Sequence, residues 1–173
     1  MPERAANQVE QGLRCGQTRL GCAPEAAAEL AALLAQPEVG LVLLFLGEIG
    51  EPERFCTEFG RHFPGVTVLG VSSAAEIGPL GYLQHSVAGV SIHRDALHFA
   101  LGVLESLSTA SLHQIQHFSS ALKDELRMRS PRMASANSFA LMLVEGTSER
   151  IAHAIYDGLN GLRLVGGPAA EAG

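Results

Sequence analysis

The stretch from Val39 to Val71 reads VGLVLLFLGEIGEPERFCTEFGRHFPGVTVLGV. Its first eight residues, Val39 to Leu46, are almost continuously apolar and stop at Gly47, the pattern of a central strand covered on both faces. Pro52 to Phe63 places Phe55, Phe59 and Phe63 at i, i+4 and i+8, which is helical spacing; Pro64-Gly65 then turns the chain into a second strand, Val66 to Val71. Strand, helix and strand in this span have the size of a β-α-β crossover, so the two strands are expected to run parallel as neighbours or near neighbours.

Upstream, Pro24 to Gln36 reads as a helix with Leu30, Leu33 and Leu34 on one stripe, ended by Pro37. Residues 1–22 are polar and unpatterned and are expected to be a flexible lead-in, although Gln17 to Cys22 would pair at a sheet edge. Downstream, Ser72 to Tyr82 is a loop by its Gly and Pro content. Two alternating segments follow, Ser86 to His93 and Leu97 to Leu104. Pairing Ile92 with Phe99 and Val90 with Leu101 gathers their apolar residues on one face, which predicts an antiparallel hairpin with His93 and His98 as cross-strand neighbours. Ser108 to Met128 is a long helix, and residues 129–137 are the best linker. A second strand, helix and strand occupy Phe139 to Val144, Ser148 to Leu159 and Leu162 to Val165. The predicted fold is α/β, with a mixed, mostly central sheet flanked by helices.

That second unit repeats the first. Pro52 to Gly70 lies over Ser148 to Gly166 without a gap, matching Glu53, Arg54, Gly65 and Gly70 to Glu149, Arg150, Gly161 and Gly166 and aligning the apolar positions. After each copy comes a glycine-led Ala-Ala-Glu loop, one ending in Ala74-Ala75-Glu76 and the other in Ala169-Ala170-Glu171. Ligands of α/β sheets collect outside the carboxyl ends of strands, so two such loops are expected to share a small-molecule pocket.

The chain has 173 residues, 47% apolar and 17% charged, values that exclude a disordered chain. A formal charge of −6 with no Trp and two Tyr argues against nucleic acid as a partner. No apolar run has the ~20 residues that span a bilayer, and no signal-peptide core follows Met1, so a cytoplasmic location is expected. Cys15, Cys22 and Cys56 have no metal-knuckle spacing and read as inert thiols.

The strand Leu41 to Leu46, the block Val68 to Ile77, the pair Gly81-Tyr82 and the serine-led strand Ser86 to Ser91 resemble the amino-terminal half of FIST (F-box and intracellular signal transduction) domains. The segments Ala140 to Gly146 and Leu164 to Glu171 resemble the second glycine-rich block of that family. The resemblance begins near Ala23, so residues 23–173 are expected to form a FIST amino-terminal-type sensory domain lacking its carboxy-terminal half. It implies sensing of a small ligand, sometimes amino-acid-like, and signalling to a histidine kinase, a cyclic-dinucleotide enzyme or a chemotaxis receptor. One branch of the family binds haem and responds to nitric oxide. This chain departs from the family pattern at Ala75, Pro168, Ala170 and Glu171.

The candidate ligand contacts are Gly70, Ser72, Ser73, Ala74, Glu76, Tyr82, Gly166 and Gly167, with no catalytic residue and no metal ligand assigned. Gly70-Val71-Ser72-Ser73-Ala74 approaches a nucleophile elbow, and a serine hydrolase using Ser72 or Ser73 with Glu76 is the enzymatic alternative. An elbow opens directly into a helix, however, whereas Ile77-Gly78-Pro79 breaks one. Glu76 and Glu171, at equivalent places, would bind a cation or amine if they faced each other; the plainer reading makes them solvated loop acids or caps. His113 and His117 have metal-pair spacing but lie off the apolar arc and read as a solvated face. His85 is the histidine nearest the signature loop and the candidate axial ligand if haem binds.

Overall fold

The computed structural model describes residues 12–19, 23–105, 107, 109–145 and 149–169. They fall into two compact units that divide between Leu97 and His98, rather than at the expected linker 129–137.

The first unit carries β1 (Leu13–Arg19), α1 (Ala23–Leu34), β2 (Val39–Leu46), α2 (Pro52–Gly60), β3 (Thr67–Ser72), β4 (Glu76–Gly78), β5 (Gly81–Leu83) and β6 (Ser86–His93). Its main sheet has the order β1-β6-β2-β3, with β2 and β3 parallel and β6 antiparallel to both β1 and β2. The apolar run of β2 therefore sits in the interior of the sheet, and the β-α-β crossover forms as its spacing predicts.

Helices α1 and α2 bury one face of this sheet. Val42, Leu44, Leu46 and Val87 meet Ala27, Leu30 and Leu34 of α1 and Phe55 and Phe59 of α2, all nearly inaccessible to solvent. Each such Leu or Phe contributes about 1.5–3 kcal/mol of hydrophobic stabilisation. The rings of Phe55, Phe59 and Phe63 stack successively at 6.0 and 5.1 Å, so the helical spacing of these phenylalanines becomes one aromatic column. Two glycines let α1 approach. A Cβ on Gly16 would lie 2.9 Å from Cβ of Leu33, and one on Gly89 would lie 2.8 Å from Cδ1 of Leu34. At the end of α1, Ser91 donates its hydroxyl to the Leu34 carbonyl at 2.7 Å, and the Gln36 amide donates to Oγ of Ser91 at 2.9 Å.

Two expectations fail here for one reason. Ser86–His93 does not form a hairpin with Leu97–Leu104: β1 occupies one edge of β6 and β2 the other, leaving no edge for the later segment. His93 and His98 are accordingly not cross-strand neighbours, and His93 instead pairs with Val39. Within the stretch expected as a lead-in, Leu13–Arg19 is a strand of the sheet. Residues 1–11 and 20–22, including Cys22, lie outside the described residues. The expected loop 72–82 contains the small antiparallel pair β4-β5, in which Glu76 faces Leu83 and Ile77 faces Tyr82.

The second unit carries α3 (Leu112–Arg129), β7 (Phe139–Glu145), α4 (Glu149–Leu159) and β8 (Arg163–Ala169), with β7 and β8 parallel. It is the second β-α-β of the chain. Helix α3 starts at Ser111, whose hydroxyl accepts from the Gln114 amide while the Gln114 side chain accepts from the Ser111 amide, a reciprocal cap. Helices α3 and α4 pack closely at Gly158, where a Cβ would lie 2.4 Å from the Gln116 carbonyl oxygen. The buried Lys123 donates its ammonium to the Asn160 carbonyl at 2.9 Å and so ties α3 to the turn after α4.

Candidate functional site

Strands β2 and β3 run parallel, so their carboxyl ends open on the same side, and the segments leaving them carry the signature residues. Gly47 follows β2 and donates its amide to the Ser86 carbonyl at 2.9 Å, while Ser73 follows β3 and donates its amide to the Leu46 carbonyl at 2.8 Å. The two exits are thereby fixed to each other and to the start of β6.

Glu76 lies at the centre of this junction and is only 2% exposed. Ser73 donates its hydroxyl to Oε1 of Glu76 at 2.7 Å, and Ser86 donates its hydroxyl to Oε2. Ser86, wholly buried, in turn accepts from the Gln17 amide at 3.4 Å, and Oε1 of Gln17 accepts from the Leu80 amide at 3.0 Å. A hydrogen-bonded chain thus runs from the edge strand β1, through β6, to the loop after β3 and the turn of β4-β5. Each carboxyl oxygen of Glu76 meets a hydroxyl, and among the described residues no ion pair includes it. Glu76 is therefore neither a solvated loop acid nor a cap. It is an internal pin, and a buried polar group of this kind is tolerated because its partners are present.

Glycine is required around the pin by contact. A Cβ on Gly47 would stand 2.8 and 2.9 Å from the two carboxyl oxygens of Glu76 and 2.8 Å from the Ser86 carbonyl, and one on Gly78 would stand 2.6 Å from Oε1 of Gln17. Gln17, Gly47, Gly78 and Ser86 are the members of the junction that periodicity and spacing do not single out. The visible signals are a serine leading the apolar strand β6 and a glycine closing β2.

The expected site residues separate into groups. Ser73 and Glu76 are bonded to each other. Ser72 ends β3, and Ala74 is exposed beside it. Gly70 lies on the helix-covered face, where a Cβ would touch Cδ1 of Leu46 at 3.0 Å and Sγ of Cys56 at 3.6 Å; it serves the approach of α2. Tyr82 does not join Glu76: the two lie on opposite faces of β4-β5, with Tyr82 paired to Ile77 and 65% exposed. Gly166 and Gly167 are in β8 of the second unit. Gly166 has φ +123°, and a Cβ there would fall 1.9 Å from the Met142 carbonyl oxygen, so only glycine fits. Glu171 lies outside the described residues. Ala75, where the family pattern has glycine, is not among the residues with positive φ.

The other candidates resolve similarly. His113 and His117 are exposed, and among the described residues no group of three or more His, Cys, Asp or Glu is placed to hold a metal. His85 stands at a turn with φ +50°, 63% exposed at its side chain, with Nδ1 3.4 Å from the Glu48 carbonyl oxygen and 3.5 Å from its carboxylate. A haem needs an apolar slot around its axial ligand, and an exposed ring beside a carboxylate does not fit one. Chain geometry also disfavours an elbow, because β3 leads through a bend into β4 rather than into a helix, and among the described residues no histidine joins the hydrogen-bonded chain of Ser73, Glu76, Ser86 and Gln17. Two surface hollows, of about 530 and 440 Å³, lie away from the junction, one between α1 and the turn before β3 and one on α3 and α4.

No helix among the described residues is long and apolar enough to cross a membrane. A protein-family model described as FIST N domain matches residues 40–173. No curated protein and no solved structure matches the chain.

Proposed function

The chain belongs to the FIST N domain family, and from that membership we propose that it is a cytoplasmic sensory module that binds a small molecule at the carboxyl ends of β2 and β3. The family is one of sensory rather than catalytic modules. The observation that carries the reading is the pinned loop. Glu76, held by Ser73 and Ser86, fixes residues 72–75 where α/β sheets present their ligands. In this reading Ser72, Ser73 and the backbone beside the exposed Ala74 face the ligand, Glu76 positions them, and Gly166 and Gly167 shape the equivalent loop of the second unit. The signal passes to a separate output protein, of the histidine kinase or cyclic-dinucleotide enzyme type that the family serves.

A thermal-shift screen of the whole chain against the amino acids and related small amines and acids tests this. A ligand at a hundred times its Kd stabilises by about 2.7 kcal/mol, which is readily seen as a rise in melting temperature. A rise that Ser72→Ala reduces, with that variant folded by circular dichroism, supports the site. A panel without any effect on folded protein overturns it.

A further inference from the structure

Hydrogen bonds have a direction, and the chain through Glu76 has only one. The Leu80 amide can only donate, so the end of Gln17 that it meets at 3.0 Å is the oxygen, and the nitrogen of Gln17 is left to donate to Oγ of Ser86 at 3.4 Å. Ser86 then sends its own proton to Oε2 of Glu76. Ser73 sends its proton to Oε1 at 2.7 Å. Both oxygens of Glu76 are thus acceptors, as in a carboxylate, which has no proton to return.

A hydroxyl carries one proton and two lone pairs. With its proton turned inward, Ser73 offers only lone pairs outward, and among the described residues no group donates to them. Its backbone amide is engaged too, on the Leu46 carbonyl at 2.8 Å. Ser73 is partly open to solvent whereas Glu76 is 2% exposed, so a ligand arriving at this loop meets the hydroxyl and not the acid behind it. That acid takes part in no ion pair among the described residues, which leaves its charge to favour a cation in front of Ser73.

We infer that the ligand of this site presents a cationic N–H donor, a primary ammonium, to Oγ of Ser73, and that groups able only to accept, carboxylate or phosphate, are rejected there. The inference rests on the reading of residues 72–75 as the ligand-facing loop. An acceptor at this point would set lone pair against lone pair with no proton between them. Glu76 acts without touching the ligand, through the direction it imposes on Ser73, and is a positioning residue. The direction reverses in Glu76→Gln. Ser86 must still hand on its proton, so the oxygen of the new amide faces Ser86 and its NH2 group faces Ser73. Ser73 then accepts from within and turns its proton outward, and the preference passes from donors to acceptors.

The test uses the whole chain, isotope-labelled, and three probes: n-butylammonium and pentanoate, which share one alkyl chain, and inorganic phosphate. Each is titrated while the backbone amide shifts of residues 72–75 are followed. Butylammonium is expected to bind the parent at least about tenfold more tightly than either anion. Ser73→Ala is expected to abolish that difference, and Glu76→Gln to make pentanoate the better ligand, each variant being checked for a dispersed spectrum. Should Glu76→Gln not fold, the parent and Ser73→Ala still decide. Equal or tighter binding of an anion to the parent at these amides overturns the inference and leaves the site standing, as does an unchanged order in folded Glu76→Gln. If no probe moves residues 72–75, the ligand-facing loop is refuted and the inference falls with it.

Discussion

A side chain on Gly47 would collide with Glu76: its Cβ would stand 2.8 Å from Oε2 of the carboxyl group and equally close to the backbone oxygen of Ser86. The absence of a side chain at one strand exit is therefore what admits the acid from the loop after another. Neither neighbour yields easily, since one oxygen is backbone and the other belongs to a buried, doubly bonded carboxyl.

Gly47→Ala is expected to lower stability by about 2 kcal/mol, an overpacking cost. Urea unfolding of the variant measures it, and a loss below about 0.5 kcal/mol would show that the junction is loose.

Removing the pin tests the same place from the other side. Glu76→Ala deprives the buried Ser86 hydroxyl of its acceptor and opens a void, for an expected loss of about 2–4 kcal/mol, whereas Glu76→Gln keeps the size and one carbonyl and should cost about 1 kcal/mol. The ordering of the two midpoints in denaturant is the readout; equal midpoints would mean that the hydrogen bonds contribute nothing.

In the second unit, Gly166 and Gly167 form a matched pair. Alanine at 166 meets the Met142 carbonyl and an unfavourable φ, while a Cβ at 167 meets nothing within 4 Å. Gly166→Ala is expected to abolish the β7-β8 pairing, seen as fast amide exchange in both strands, and Gly167→Ala to leave it within about 0.5 kcal/mol of the parent.

Burial pushes the Cys56 thiol up from its ordinary value, because the thiolate is poorly solvated between α2 and β3. Peptide-resolved alkylation should therefore label the exposed Cys15 well before Cys56. The raised value also has a sign for stability. The folded state keeps its thiol proton longer than the unfolded chain, so the contribution of Cys56 is complete below the unfolded thiol's pKa and is lost as pH rises from about 9. Cys56→Ala should show a shallower decline over that range.

The parts of the fold legible in the sequence are those in which neighbours along the chain decide the structure. Phe55, Phe59 and Phe63 declare α2, the glycine-bounded apolar run declares β2, and the crossover between them is short enough to fix β3. Leu97–Leu104 misleads because alternation reports a segment suited to pairing, not where its partner lies; the neighbouring β6 is already paired on both sides. Strand β1 is hidden for the converse reason, since LRCGQTR is polar and becomes a strand only through a partner more than 60 residues later. The loop Ser72 to Glu76 stands out as a glycine-led turn, but Gln17 and Ser86, which hold its acid, are linked to it only by the folded sheet.

The order β1-β6-β2-β3 also governs how the first unit comes into being. Its second strand in space is its last in sequence, so during synthesis β1 and β2 emerge with no strand between them, and the sheet closes only when His93 has left the ribosome. Until then β2, with the most apolar run in the chain, has an open edge that α1 and α2, packed on the face of the sheet, leave uncovered, which exposes the nascent unit to wrong pairing. Slow translation before Ser86 prolongs that exposure.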